Sequence, residues 1–395
     1  MSEPAPGVPA RSLVALVVGQ LGIHAAMAGL RLAAPLQALR EGYSAWAVGL
    51  LLALFAGAAV LSALRAGRLA DRHGYHRPMK LAVAVTVAGM LCALGSVWAP
   101  EGWRFALLCL AAAGTGMGTN TGMLTIQRTA GHAATSATER VRIFSWLGVA
   151  PSFSNVVGPV AAGLMIDFGG FAAAYALLLA LPIITLVTAR LVPRQAPWGT
   201  ADAEQRAAWD LLRLPGFRRL LWVNGLLAMC WDVHTFAVPV LGHERGFSAG
   251  TIGLILGAFT LSVTLVRLAI PLLAHRLREA TVVRSAMVGC GIVFALYPFA
   301  PSPLWMGACA VLLGLALGSV QPMVMSLLHD VTPDARHGEA LALRSMVINA
   351  SSTALPLLFG ASGALVGAAA LFWAAGGAVG AGSWLARRLQ PVQPA

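Results

Sequence analysis

The sequence predicts an all-α membrane protein of twelve transmembrane helices, built as two six-helix bundles related by a pseudo-two-fold axis. Three observations predict it. The 395-residue chain is 58% hydrophobic and only 11% charged, with a mean hydropathy of +0.76, whereas a soluble domain carries about 25% charged residues. Apolar stretches of spanning length, roughly 20 residues each, follow one another along the chain. The second half repeats landmarks of the first at nearly constant spacing.

The spans are expected at residues 13–38, 46–64, 79–98, 104–127, 143–166 and 171–190, then 219–242, 249–273, 282–300, 303–328, 344–362 and 365–386. Residues 191–218 break the pattern, being rich in Pro, Gly and charge. Within them, 201–214 has the composition of a short amphipathic helix lying on the membrane surface. The expected organisation is therefore an N-terminal bundle over 1–190, a cytoplasmic linker over 191–218 and a C-terminal bundle over 219–395.

The repeat is read residue by residue. Pro35, Gly42, Ser44 and Gly49 match Pro239, Gly246, Ser248 and Gly253 at an offset of 204. Gly114, Gly118 and Met123 match Gly314, Gly318 and Met323 at 200, and Pro159 and Gly163 match Pro356 and Gly360 at 197. A parallel repeat with an even number of spans per half produces two bundles about an axis along the membrane normal. A cavity between such bundles can open to either side in turn.

The net charge of +12 does not point to nucleic acid. Basic residues cluster in alternate inter-span segments without aromatic interleaving, which is the pattern of loops facing an anionic cytoplasmic leaflet. With both termini inside, only Arg40, Arg104 and Arg245 fall in outside loops, while Arg31 and Arg267 lie in spans. The five cysteines sit in apolar segments with no C-x-x-C spacing and read as packing residues, with no metal or cofactor expected. The polar N-terminus precedes an apolar stretch too long for a signal peptide. A single lysine, Lys80, against many arginines, with abundant Ala and Gly, suggests a GC-rich bacterial genome and hence a multi-pass protein of the bacterial inner membrane.

The segment Gly67-Arg-Leu-Ala-Asp71-Arg72-His-Gly74-Tyr-His-Arg77 falls in the expected second-to-third loop. It resembles the G-x-L-a-D-r-x-G-r-k loop motif of the major facilitator superfamily. Gly67 and Gly74 permit close backbone approach and a tight turn, and Asp71 can cap a helix or pair with an arginine at a cytoplasmic gate. The equivalent second-half segment, Pro271 to Arg276, lacks both the Gly and the Asp, so an asymmetric gate is expected. Ser154 to Gly163, with Gly158, Pro159 and Gly163, resembles the g-x-x-x-G-P-x-x-G-G motif of drug:proton antiporters, with small-residue departures at Ser154 and Ala162. Glu139-Arg140 and His337-Gly-Glu339 resemble that family's E-R-G loop elements. The resemblance spans nearly the whole chain. It implies the superfamily's two-bundle fold and, through the antiporter-like motif, export.

Intramembrane charge marks the candidate site. Of fifteen acidic residues only Asp232 falls near the middle of a span. A carboxylate there is costly to keep ionised and normally faces protein or a water-filled cavity. Arg31 is the matching cation in the first span, on one helical face with His24 and Ala28. The 204 offset maps Ala28 onto Asp232, so Asp232 and Arg31 are expected on equivalent faces of symmetry-related helices, as a proton-coupling pair. Further cavity candidates are His24, Asn120, Thr121, Asn155, Trp231, His234, Phe236, Gln321, Asn349 and Ser352. Among these, Thr121 maps onto Gln321 and Asn155 onto Ser352. A lone membrane histidine is more often a packing residue, and Trp231 and Phe236 can equally face lipid. Arg267 and Arg344, near cytoplasmic span ends, read as snorkelling residues.

The expected function is secondary active transport by alternating access, with a small organic molecule exported in exchange for protons, sodium being the alternative coupling ion. No G-x-x-x-x-G-K-[ST] motif is present to use ATP. The alternative within transport is uptake or facilitated diffusion of a small anionic metabolite, which Arg31 would suit. A membrane sensor would need an output domain, and an enzyme a clustered nucleophile and base. The sequence shows neither, so an enzyme is not expected. The expected partners are the substrate, protons and the bilayer, and the chain is expected to act as a monomer.

Overall fold

The computed structural model describes residues 10–133, 137–193, 208–273, 278–332, 336–387 and 389. Every regular element among them is helical: α1 (Ala10–Arg40), α2 (Ala45–His73), α3 (His76–Ser96), α4 (Glu101–Ala133), α5 (Ala137–Ala189), α6 (Pro215–Glu244), α7 (Ala249–Leu273), α8 (Glu279–Leu296), α9 (Pro303–Gly318), α10 (Val320–Val331) and α11 (His337–Ala386). Short 3₁₀ turns occupy Ala208–Arg213 and Tyr297–Phe299. Ten of the described helical stretches are long and apolar enough to cross a membrane. Backbone groups in hydrocarbon must be satisfied within their own segment, and continuous helices do this.

Several details differ from the sequence expectation, and one is that the expected span 303–328 divides at Ser319 into α9 and α10. The fifth and sixth expected spans run on as α5, broken only at Gly169 and Gly170, where Gly170 adopts φ +74°. The last two expected spans are likewise joined in α11 and broken at Gly367, at φ +80°. The Gly67–Arg77 segment is no extended loop, because α2 continues through His73 and leaves only Gly74 and Tyr75 before α3. Gly74 makes this turn at φ +64°, a region that costs other residues energy. The expected amphipathic helix at 201–214 lies largely outside the described residues. What is described there is the 3₁₀ turn Ala208–Arg213, with an exposed Asp210–Arg213 pair at 3.7 Å.

The repeat is written into the backbone. Gly42 and Gly246 turn at φ +86° and +70°, and Gly170 and Gly367 at +74° and +80°. These are the 204 and 197 offsets again. Gly74 has no glycine mate, since its 204 partner is Arg278, with φ −101°.

The chain divides into two compact units. One comprises Met1–Glu41, Leu54–Asp202 and Ser248–Gly253; the other comprises Gly42–Ala53, Ala203–Phe247 and Leu254–Ala395. In the first, α1 packs along both segments of α5. The contact is close because it is lined with glycine. A Cβ on Gly158 would stand 2.6 Å from the Ala25 carbonyl oxygen and 2.8 Å from the Gly29 nitrogen, and one on Gly22 would stand 2.7 Å from the Leu181 oxygen. Thr185 donates across the same contact to the Gly19 carbonyl at 2.7 Å. Lipid offers apolar groups as readily as another helix does, so close small-residue packing and interhelical hydrogen bonds carry such associations. Pro159 and Gly163 meet the first turn of α7, where Cβ atoms on Gly163 and Gly253 would collide with the Ala249 and Pro159 carbonyl oxygens. In the second unit the repeat mates do the same: Gly49 abuts Pro356, and Gly360 abuts Ala45 and Trp46.

Candidate functional site

In the second unit, Asp232 on α6 is 4% exposed. Ser352 on α11 donates its hydroxyl to the carboxylate Oδ1 at 3.2 Å and to Oδ2 at 3.3 Å, and Ser351 donates to Oδ2 at 3.3 Å. One helical turn along α6 from Asp232, Phe236 packs on Phe359 of α11 with ring centroids 6.0 Å apart, so a single face of α6 presents both residues to α11. Thr235 bonds back to the Trp231 and Asp232 carbonyls at 3.1 Å each. Back-bonding of this kind holds a hydroxyl along its own helix.

His234, two residues on, points elsewhere. It is fully buried, its Nδ1 lies 3.2 Å from the Tyr297 hydroxyl, and its ring sits 4.1 Å from that of Phe259. Phe259 in turn meets Trp231 edge-on at 4.7 Å, and Tyr297 stacks on Phe372 at 4.6 Å. His234 and Trp231 therefore belong to an aromatic core that α6 shares with α7 and with the Tyr297 turn, separate from the Asp232 face. Asn349 is exposed, and its carbonyl accepts from the Thr353 hydroxyl at 2.9 Å. Gln321 accepts from Arg267 at 3.1 Å, and Arg344 donates to Asn224 at 3.1 Å, so both arginines hold polar partners within the unit.

In the first unit, His24 is buried with its Nδ1 3.2 Å from the Met123 sulfur, and Arg31 and Asn155 both lie close to that imidazole. Sequence-predicted residues from α1 and α5 thus share one neighbourhood. Asn120 is committed elsewhere, donating to the Ala59 carbonyl of α2 at 2.9 Å, and Thr121 bonds back to Met117 at 2.8 Å. In the gating segment, Arg128 donates to the Gly67 carbonyl at 3.2 Å, and a Cβ on Gly67 would press on that guanidinium at 3.1 Å. Arg72 and Arg77 are exposed, and the Asp71 side chain lies outside the described residues.

Sequence reasoning missed three features. Ser351 also pairs through the repeat, with Ser154 at the 197 offset, and that match was the signal that could have found it. Asp167 was set aside as a span-end acid, yet its carboxylate accepts from the Ala249 and Gly250 amides at 3.0 and 2.7 Å, capping α7. Gln37 carries no formal charge and so gives no charge signal in the sequence. It is buried, accepts from Tyr175 at 2.7 Å and donates to Glu41 at 2.8 Å and Ser96 at 3.1 Å.

The chemistry available at Asp232 follows from its donors. A serine hydroxyl rotates and can either donate or accept. Ser351 and Ser352 can therefore solvate the ionised carboxylate and equally accept from the protonated acid. Among the described residues no three His, Cys, Asp or Glu side chains converge as metal ligands would.

Comparison with known proteins bears on the whole chain. The family model described as Major Facilitator Superfamily matches residues 16–239 and 220–395. Proteins named enterobactin exporter EntS are similar: the one from Salmonella typhi is 27% identical over 77% of this chain and 74% of its own length, and the one from Shigella flexneri is 27% identical over 78% and 74%. Among solved structures, a bacterial homolog of the human lysosomal transporter Spinster superposes with a TM-score of 0.75 at 13% identity, over 97% of this chain and 98% of that one. A POT family transporter in complex with a thioalcohol-conjugated peptide does so with a TM-score of 0.75 at 14% identity, over 95% of both chains. At such identities the likeness is one of fold.

Proposed function

Because this chain belongs to the Major Facilitator Superfamily and is thereby a membrane transporter of small molecules, we propose that it exports a small organic molecule across the bacterial inner membrane in exchange for protons. Twelve spans with both termini in the cytoplasm complete the proposal. Access to the substrate alternates between the two sides of the membrane, as parallel repeats allow. Asp232 carries the proton, and Arg31 is its electrostatic partner or an anion-binding group. His24 and Asn155, close to Arg31, extend the substrate-facing surface.

The observation that supports this reading most is the pairing of a buried carboxylate with two neutral hydroxyls on a second helix. A structural carboxylate gains most from fixed donors that favour one protonation state. Hydroxyls that serve both states suit a group that must gain and lose a proton in each cycle. Export is supported by the exporters to which the chain is similar and by the antiporter-like motif that holds Gly158, Pro159 and Gly163. A carboxylate that answers to both proton and substrate lets antiport avoid an idle proton leak.

Everted membrane vesicles test direction and energy source together. With an imposed gradient, acidic inside, they should accumulate the substrate, with enterobactin as the first probe and a chemically broad panel after it. A protonophore should abolish accumulation. Accumulation that survives the protonophore, or that requires sodium, overturns proton coupling, and accumulation only in right-side-out vesicles overturns export.

A further inference from the structure

Each unit carries a crevice at the ends of its helices, away from the Asp232 and His24 neighbourhoods. In the first unit the crevice is about 860 Å³ and lies between the start of α3 and the end of α5, with Lys80 and Arg190 at its mouth. In the second it is about 1240 Å³ and lies between α8 and the end of α11, with Arg284, Arg387 and a third cation, Arg278, among its lining residues. The cations correspond through the repeat: Lys80 maps onto Arg284 at 204, and Arg190 onto Arg387 at 197. All four are exposed. One helix end with a basic residue is ordinary, but two crevices that reproduce the same pair of cations by symmetry are a built feature.

The walls beyond the cations are apolar. From Arg284 the same face of α8 continues through Val288 and Ile292, which are 41% and 57% exposed, at the spacing that keeps residues on one face. From Lys80 the face of α3 continues through Ala84, with Leu186 opposite on α5. The second crevice also contains Glu279, whose carboxylate accepts from the Ser326 hydroxyl at 3.1 Å. Two cations at a helix end, with an exposed apolar groove running from them into the span, match the chemistry of an anionic phospholipid. Its phosphate meets the cations while its acyl chains follow the groove. Basic pockets between helices on the cytoplasmic side recognise such headgroups.

We propose that the two crevices are specific binding sites for anionic phospholipids of the inner leaflet, one in each half of the transporter. The proposal rests on the cytoplasmic orientation of these helix ends given above. It does not depend on proton coupling, so a failure of coupling at Asp232 leaves the lipid count untouched.

The test counts lipids bound to the purified full chain by native mass spectrometry, from micelles containing phosphatidylglycerol or phosphatidylcholine with the same acyl chains. The native chain should retain two phosphatidylglycerol molecules in preference to phosphatidylcholine. The double variants K80Q/R190Q and R284Q/R387Q should each retain one, and the quadruple variant none, with association weakened about fivefold for each cation removed. Unchanged gel-filtration elution and thermal midpoint show that the variants are folded. Should any misfold, titrating salt against the native complex reads the same contacts, because charge-based retention falls as ionic strength rises. Equal retention of the two lipids, unchanged counts in the double variants, or displacement by glycerol phosphate as effective as that by the intact lipid would each overturn the assignment. The last of these would show a small-anion site instead.

Discussion

The Ser352 hydroxyl donates to the Asp232 carboxylate at 3.2 Å, joining α11 to α6 across 120 residues of sequence. The repeat mates of these two residues, Asn155 and Ala28, lie on α5 and α1, where Asn155 and Arg31 each lie close to His24. Equivalent helix faces thus carry an acid in one half and the cationic and imidazole groups in the other.

Removing both hydroxyls should expose how strongly Asp232 depends on them. Ser351→Ala with Ser352→Ala leaves a buried carboxylate without these two donors, and hydrogen bonds to charged groups contribute about 1.5–3 kcal/mol. The double variant should therefore melt clearly lower than the native protein. Adding Asp232→Asn should recover part of that loss. A thermal-unfolding cycle over the variants measures the coupling, and strictly additive changes would show that the contacts carry no shared energy.

Gly158→Ala should destabilise the first unit, because the new methyl group meets Ala25, Ala28 and Gly29 at 2.6–2.9 Å. Overpacking of this kind costs about 1–3 kcal/mol. Gly148→Ala, where a Cβ has nothing within 4 Å, is the control and should hold or slightly raise the midpoint, since Ala favours a helix interior over Gly by about 1 kcal/mol. Detergent-phase melting of the two variants side by side checks this.

Asp167→Ala removes the acceptor of two amides at the start of α7. Loss of such a cap costs about 0.5–2 kcal/mol. The expected result is faster hydrogen exchange at the Ala249 and Gly250 amides, with the α7 interior unaffected. Unchanged exchange at both amides would remove Asp167 from any role in fixing α7.

Arg128→Ala should slow turnover more than it weakens substrate binding. Arg128 holds the Gly67 carbonyl at the gating segment, five residues along α4 from Met123, which meets His24. A loss of affinity with normal exchange rates would place Arg128 at the substrate instead.

Much of this was legible in the sequence, for physical reasons. Hydropathy marks spans because lipid tolerates little else, and Asp232 stands out because a charge at that depth is rare. The 204 offset anticipated the paired turns at Gly42 and Gly246, and the structure adds Gly170 and Gly367 as a further positive-φ pair at 197. The rest depended on direction, which composition does not record. His234 and Asp232 are neighbours in sequence, yet one enters an aromatic core and the other faces α11. Asp167 looked like an ordinary span-end acid until α7 was seen to begin against it. Gly67–Arg77 read as a loop because its residues are polar, whereas α2 runs on through His73 and turns only at Gly74.

The most direct test of the account is Asp232→Asn in reconstituted vesicles, with substrate accumulation and substrate-driven proton movement recorded together. The variant should bind substrate and permit its passive exchange, yet fail to concentrate it under a pH gradient and move no protons. If Asp232→Asn still concentrates substrate against its gradient with the native pH dependence, Asp232 is not the coupling residue.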